Sequence, residues 1–276
     1  MVLSVITINY NNCEGLERTI KSVIAQSCKD FEYVVVDGGS TDGGAELLNK
    51  YSKHIDKGIS EPDGGLYAAI NKGARMASGE YCLFLNSGDT FYSDTTVQEL
   101  YSCCLEADFI EGRIMTVKGI HIPYEKYTLN TYIYQCNNFH QASLIRRAMI
   151  LERPYDEELK IAADLKFNIN NIVVHGCSFS TVPVIISNYE PGGRSSTVKH
   201  NNEIDSIFKD LIPSRILDDY KANAIYHEFP TKYFYSIIKT IANSKFSIWL
   251  YNTLSRKESL AERWHKERVF LLNDKK

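Results

Sequence analysis

EPDGGLYAAINKGARMASGEYCLFLNSGD, residues 61–89, decides the fold. Glu61-Pro62-Asp63-Gly64-Gly65 is an acidic, glycine-rich loop. Leu66, Ala68, Ala69, Ile70, Gly73, Ala74 and Ala77 then give a helix of small residues. Ser78-Gly79 is expected to end that helix, because glycine accepts the left-handed cap conformation at little cost. Glu80 to Leu85 reads as a short buried strand. It runs directly into Asn86-Ser87-Gly88-Asp89, so oxygen-bearing side chains fall just past the carboxyl end of a strand. Open α/β sheets bind their ligands at that edge.

Upstream, Leu3 to Ile8 is an apolar run expected to be the central parallel strand, followed by the loop Asn9-Tyr10-Asn11-Asn12. Asn12 suits the N-cap of the next helix. In that helix Leu16, Ile20, Val23 and Ile24 repeat on one face. Phe31 to Val36 is a second buried strand, ending at Asp37-Gly38-Gly39-Ser40-Thr41-Asp42-Gly43-Gly44, with a helix after it. Strand, helix, strand, helix at this spacing gives a βαβ unit and a parallel sheet. His54 to Ser60 supplies a third short strand.

Downstream, Asp94 is expected to cap a helix carrying Val97, Leu100, Tyr101 and Cys104. Phe109 to Val117 reads as strand, and residues 120–138, rich in Tyr and Asn without a period, as a loop bordering the site. His140-Gln141 precedes the strand Ala142 to Ile145. Residues 161–173 form a helix with Asp164 near its start, where the helix dipole tolerates a carboxylate. After the strand Val182 to Ser187, Tyr189 to Ser196 is a polar glycine loop of the kind that makes a lid. Asn202 to Leu211 is a further helix. The tail beyond residue 215 differs in character. In 232–254, Phe234, Ile237, Ile238, Ile241 and Ile248 share one helical face, flanked by Lys245, Arg256 and Lys257. Such a profile fits an interfacial membrane helix, or equally a helix packed on its own domain or on a second copy.

The totals exclude several classes. The 276 residues carry a net charge of −3, against the basic excess of a general nucleic-acid binder. The 18 Tyr and 12 Phe suggest surfaces that handle sugars, bases or a membrane interface. The 7 Cys include no Cys-x-x-Cys pair, which points to reduced thiols in a cytosolic compartment. MVLSVITINY lacks the basic start of a signal peptide, and no apolar run reaches the ~18 residues of a membrane span. The expectation is a cytoplasmic protein, at most peripheral on the inner face of the cell membrane.

Three strand ends converge. Asn9-Tyr10 offers an amide and an aromatic ring, Asp37 a carboxylate in a glycine turn, and Asn86 to Asp89 hard oxygen ligands. A ring to stack on, an acceptor for a base N–H and a metal carboxylate suit a nucleotide diphosphate. Taken singly, the Asp37 and Asn86 segments read as plain turns. Their order and separation favour the site.

These residues carry a resemblance. Ser4 to Asn11, Val34 to Gly43, Asn71-Lys72-Gly73-Ala74, Ala77 to Tyr81 and Phe84 to Asp89 resemble the family 2 glycosyltransferases of the GT-A fold. His140-Gln141-Ala142, Ala163-Asp164-Leu165, Pro191-Gly192-Gly193 and Glu61-Pro62-Asp63 extend it toward a bacterial subgroup that builds surface polysaccharides. The resemblance implies an α/β fold with a mostly parallel central sheet flanked by helices and a helical C-terminal extension. A glycosyltransferase domain would span 1–215, with a donor-nucleotide half at 1–90 and an acceptor half at 91–215, and the extension would span 216–276. Tyr10 and Asp37 would hold the base, with Asp63 and Asn71 lining the same site. Thr7, Asn9 and Asn86 complete the donor set, with His140, which reads equally as a donor to the diphosphate or acceptor and as a satisfied histidine at a strand start. The family's Asp-x-Asp falls on Asn86, Ser87 and Gly88, so the acid stands one place later, and Asp89 becomes the ligand for Mg²⁺ or Mn²⁺. Asp164 falls where the family keeps its general base.

The implied activity is an inverting, metal-dependent transfer of one hexosyl or N-acetylhexosaminyl unit. The donor would be a nucleotide-diphospho-sugar, UDP-linked in many relatives. The acceptor would be a hydroxyl of a saccharide or lipid-linked saccharide in polysaccharide biosynthesis. The processive Gln-x-x-Arg-Trp motif is absent from the chain. Two rivals stand beside this reading. A sugar-1-phosphate nucleotidyltransferase would want a glycine- and basic-rich loop after the first strand, which Asn9-Tyr10-Asn11-Asn12 is not. An inactive nucleotide-binding scaffold of a membrane polysaccharide complex would fit the displaced acid and the basic tail. A homo-oligomer and a peripheral membrane contact through 230–257 are the remaining partners the tail suggests.

Overall fold

A computed structural model of the chain describes residues 2–135, 139–191 and 201–220. The expected lid residues Gly192 to Ser196 and the amphipathic stretch 230–257 lie outside the described residues. The chain divides into two compact units, Met1–Pro213 and Ser214–Lys276, and the sheet belongs to the first.

Four parallel strands come first: β1 (Leu3–Asn9), β2 (Phe31–Asp37), β3 (Lys57–Ser60) and β4 (Tyr81–Phe84). They are joined by α1 (Cys13–Ile24), α2 (Gly44–Lys50) and α3 (Leu66–Met76). The short β5 (Thr90–Phe91) and α4 (Thr96–Tyr101) follow, then β6 (Phe109–Thr116), β7 (Gly119–His121), α5 (Leu129–Gln135) and β8 (Ser143–Arg146). The chain continues through α6 (Arg147–Glu152), α7 (Ala163–Asn168), β9 (Phe179–Asn188) and α8 (Asn201–Leu211). One sheet runs in the order β3-β2-β1-β4-β8-β6-β9-β5, with β7 on β6. It is parallel from β3 to β4 and turns antiparallel where β8 meets β4.

The chain steps outward from β1 to β2 to β3, then returns to place β4 on the other side of β1. This is the topological switch point at which α/β sheets open a crevice. Every residue of β1 is buried, as expected of a parallel strand covered on both faces. Leu3 and Val5 join Tyr33 and Val35 of β2 and Leu16, Ile20 and Val23 of α1 in one core. On the other face α3 lies so close that a Cβ on Gly73 would stand 2.6 Å from Ile6 Cγ2. The registers Asn9↔Asp37 and Asp37↔Ser60 bring three strand ends into one row.

Several elements differ from the sequence expectation. α3 ends on Ala77 in extended geometry, φ −60° and ψ 154°, and Gly79 is not left-handed. Gly79 instead lies against β1: a Cβ there would meet Ser4 N at 2.7 Å. Thr95, not Asp94, is the N-cap of α4; the Asp94 carbonyl instead accepts from Ser27 N at 2.7 Å. Part of the 120–138 stretch is regular, with β7 and α5 falling at its two ends. The 161–173 helix is α7 running on into a π-helical turn, Ile169–Val174.

Candidate active site

Two clefts meet at the carboxyl edge of β1 and β4. The first, about 780 Å³, is lined by Asn9, Tyr10, Asp63 and Leu66 among others. The second, about 410 Å³, is lined by Asp89, His140, Gln141, Asp164 and Glu190 among others. Asn12, Leu66, Asn86 and Ser87 border both, so the two form one groove.

In the first cleft Tyr10 is 60% exposed, an unusual state for a large ring and one suited to stacking on a planar ligand. Gly38 lies behind it: a Cβ there would stand 3.2 Å from the Tyr10 ring and 2.9 Å from Asp63 Oδ2. The other Asp63 oxygen accepts from Gly65 N at 2.8 Å and fixes the glycine loop. Asp37, expected to face the base, is fully buried and spent within the fold. Its Oδ1 accepts from Asn9 Nδ2 at 2.7 Å and Ser40 Oγ at 2.5 Å. Its Oδ2 accepts from Ser60 Oγ at 2.6 Å and Ser40 N at 3.0 Å. Burial alone would raise its pKa, but the donors of Ser40, Ser60 and Asn9 outweigh it and hold the carboxyl below the usual range. Asp37 therefore builds the loop, and Asp63 is the carboxylate that borders the cleft.

Two further expected donor-site residues stand away from the groove. Thr7 is buried under the sheet and pairs with Tyr33 Oη at 3.0 Å. Asn71 is 2% exposed and clamps the turn after α6: Nδ2 donates to Tyr155 O at 2.8 Å and Glu157 Oε1 at 2.9 Å, and Oδ1 accepts from Tyr155 N at 3.0 Å. Helical position explains the difference, since α3 turns Asn71 away from the loop that Leu66 borders.

The segment 86–89 is held from α1. Asn12 caps α1 through Gly15 N at 3.1 Å and donates to Ser87 O at 3.0 Å. Thr19 Oγ1 donates to Asp89 O at 2.7 Å and accepts from Gly88 N at 3.0 Å. Gly88 adopts φ +107°, where a side chain is strained, and Glu190 packs over it. An acid at Gly88 would be strained and would have to displace that contact, whereas Asp89 follows it without such a constraint. Asp89 is 3% exposed and accepts from Glu190 N at 2.9 Å. Burial pushes its carboxyl up to about 7, against the pull of the Glu190 N–H and the Gln141 side chain.

His140 sits between the two halves of the second cleft. Its Nε2 lies 2.9 Å from Asn86 Nδ2, and its Nδ1 lies 4.0 Å from Asp164 Oδ2. Burial holds the imidazole down to about 4, so it is neutral at pH 7. Asn86 donates to Nε2, and the ring proton therefore sits on Nδ1, the nitrogen that faces Asp164. Asp164 lies in the first turn of α7, and its Oδ1 accepts from Leu165 N at 2.8 Å. Asn86 Oδ1 is buried without a hydrogen-bond partner. Tyr67, Lys160 and Glu190 border the same cleft and were not marked by the sequence; their positions depend on long-range packing, which no local pattern carries.

A crevice at the switch point of an α/β sheet, holding an exposed aromatic ring and a row of carboxylate and amide oxygens, is the architecture of a glycosyltransferase α/β fold. The chain belongs to glycosyl transferase family 2, whose family model matches residues 4–151. An uncharacterized glycosyltransferase of Mycobacterium tuberculosis is 30% identical over 226 residues, covering 76% of this chain and 81% of that protein. The putative teichuronic acid biosynthesis glycosyltransferase TuaG of Bacillus subtilis is 38% identical over 103 residues, covering 36% of this chain and 40% of its own. Among solved structures, S. aureus TarS with UDP-GlcNAc aligns at TM-score 0.59 and 22% identity, over 72% of this chain and 62% of that one. The mannosyltransferase PcManGT of Pyrobaculum calidifontis, in complex with GDP-Man and Mn2+, aligns at TM-score 0.56 and 17% identity, over 98% and 84%. These neighbours share the GT-A fold, as the sequence resemblance implied.

Proposed function

We propose that the protein transfers one sugar from a nucleotide-diphospho-sugar to a hydroxyl of a saccharide or lipid-linked saccharide, with inversion, in the building of a surface polysaccharide. The observation that carries this reading is the single groove joining Tyr10 and Asp63 at one end to Asp89, His140 and Asp164 at the other. Tyr10 stacks on the base and Asp63 accepts a base N–H. The likeness to TuaG, named for teichuronic acid biosynthesis, supports the polysaccharide role. TarS and PcManGT, crystallised with UDP-GlcNAc and GDP-Man, support a nucleotide-sugar donor.

Asp164 is the general base. Its carboxylate borders the cleft beside an imidazole that burial makes a weak base and whose Nε2 lone pair Asn86 engages. It takes the proton of the acceptor hydroxyl as that oxygen bonds to the anomeric carbon. The nucleotide diphosphate departs from the opposite face, which inverts the configuration. Positioning such a base is worth roughly 10²–10⁴ in rate. The donor set also fits a divalent cation: the buried Asn86 Oδ1 lacks a hydrogen-bond partner, and Asn86 and Asp89 line the same cleft. Among the described residues no cluster of three or more His, Cys, Asp or Glu surrounds a common point. Asp89 and Asn86 would therefore share Mg²⁺ or Mn²⁺ with the donor's phosphates, the usual arrangement for magnesium. When bound, the cation neutralises charge on the departing diphosphate. No helix among the described residues is long and apolar enough to cross a membrane.

The test is a panel of nucleotide sugars with the full chain and Mn²⁺, reading released nucleotide diphosphate, with nucleotide binding measured by calorimetry. Release from one donor, lost in EDTA and in Asp89→Ala, supports the reading. Nucleotide binding with no release on any added saccharide acceptor leaves the scaffold reading in its place. Absence of nucleotide binding removes the donor site altogether.

A further inference from the structure

The loop that delivers Asp164 is held by a carboxylate from a distant helix. Glu203, in the first turn of α8, accepts three successive backbone N–H groups: Lys160 at 3.0 Å through Oε1, Ile161 at 3.1 Å and Ala162 at 3.2 Å through Oε2. Three consecutive amides converging on one carboxylate form an anion-binding nest at the entry to α7. The Ile161 peptide is gripped from the other side as well. Its carbonyl accepts from Tyr67 Oη of α3 at 2.5 Å. Two turns further along α8, Asp210 pairs with Lys166 of α7 at 2.8 Å. Glu203 and Asp210 are seven residues apart, on one helical face. So α8 fixes α7 at its entry and in its body, on either side of Asp164.

We propose that Glu203 is a positioning residue for the transfer reaction. It sets the path of residues 160–163, and through them the reach of the Asp164 carboxylate toward the acceptor. The inference rests on Asp164 being the base. Displacing a reacting group by about 1 Å costs on the order of 10²-fold in rate, and among the described residues Glu203 is the side chain seen to bond these three amides. Gln at 203 keeps the length but presents one oxygen and one N–H₂. At least one amide of the nest then faces a donor and loses its acceptor.

The experiment compares the full-length wild type, Glu203→Gln, Asp164→Asn and the double variant. It reads turnover of the donor found in the panel, UDP or GDP binding by calorimetry, and amide hydrogen exchange over 158–166. The expected result is faster exchange at 160–162 in Glu203→Gln, nucleotide affinity unchanged, and turnover down roughly 10- to 100-fold. The double variant should be no slower than Asp164→Asn alone, because Glu203 acts through Asp164. If Asp164→Asn is inactive while Glu203→Gln turns over normally, the positioning role is overturned and the base stands. If Asp164→Asn turns over normally, the base reading itself falls. A double variant slower than both singles by the product of their losses also overturns the proposal. Should Glu203→Gln fail to fold, Glu203→Asp withdraws the same carboxylate by one carbon from the three amides, and the same cycle with Asp164→Asn applies with the same outcomes.

Discussion

Asn86 and His140 meet at 2.9 Å, amide nitrogen to imidazole Nε2, and this contact decides which ring nitrogen faces Asp164. The imidazole carries its proton on Nδ1 and stays neutral, because burial holds its pKa to about 4. Burial makes the ring a weak base and Asn86 engages its Nε2 lone pair, so beside His140 the Asp164 carboxylate is the better proton acceptor. Asp164→Asn should therefore lower turnover by roughly 10²–10⁴-fold and leave nucleotide affinity unchanged. Released nucleotide diphosphate and calorimetry on the same preparation check both halves.

Titration of His140 itself gives a second prediction. Its folded pKa lies below the ~6.5 of a free imidazole, so the unfolded chain binds that proton more readily. The stability it confers is complete above about pH 6.5 and is lost as pH falls toward about 4. The ring resonances of His140 should show no midpoint between pH 5 and 8, and a midpoint near 6.5 would contradict the buried, neutral ring.

Asp89 runs the opposite way. Its folded pKa of about 7 lies above the ~3.9 of an exposed Asp. The folded protein then holds the proton more tightly, and stability falls as pH rises from about 4 to about 7. In EDTA, Asp89→Asn should melt above the wild type at about pH 8 and converge with it near pH 4. Adding Mn²⁺ at pH 8 should raise the melting temperature of the wild type and leave the variant unmoved.

Asp63 and Asp37 separate binding from folding. Asp63→Asn, which keeps an oxygen to accept from Gly65 N, should weaken nucleotide binding with little change in melting temperature, since Asp63 borders the open cleft. Asp37→Ala strands the donors of Asn9, Ser40 and Ser60 and should lower both. Each stranded buried donor costs about 1–3 kcal/mol. Tyr10→Ala should cost roughly 1–3 kcal/mol of nucleotide affinity through lost stacking alone.

Asn71→Ala should destabilise without touching the donor site. Its three hydrogen bonds all go to the 155–157 turn. Losing them at about 1–3 kcal/mol per unsatisfied group should lower the melting temperature by roughly 2–4 °C per kcal/mol. The KM for the donor should stay within about twofold, a shift that keeps the change under ~0.5 kcal/mol.

Much of this architecture is legible before any coordinates. Short, largely apolar and β-branched runs such as Leu3 to Ile8, closed by turn residues, read as strands covered on both faces, and the small residues of α3 announce close packing on them. Site residues divide differently. Tyr10, Asp89, His140 and Asp164 reach the groove from positions at or just past an element end, but Asp37, which ends β2, shows that such a position is not enough by itself. Thr7, Asp37 and Asn71 share the same motifs yet face inward, and a motif carries no sign of which way its side chains turn. Gly79 misleads for a similar reason: glycine marks a left-handed cap and a tight strand contact alike, and only the neighbour, Ser4, tells them apart. Glu203 is beyond reach of the sequence because its three partners lie some forty residues upstream.

Regarded mechanically, α3 is a tie rod. Its first residue, Leu66, borders both clefts. Its second, Tyr67, holds the Ile161 carbonyl, its sixth grips the 155–157 turn, and Gly73 beds it against Ile6 of β1. A rod fastened at so many points does not bend locally; a shift at one end is felt at the other. Substitutions chosen to reshape the wall around one substrate will therefore move the wall around the second, and variants with altered donor preference should be sought in the loop 61–65 ahead of the rod before the rod itself.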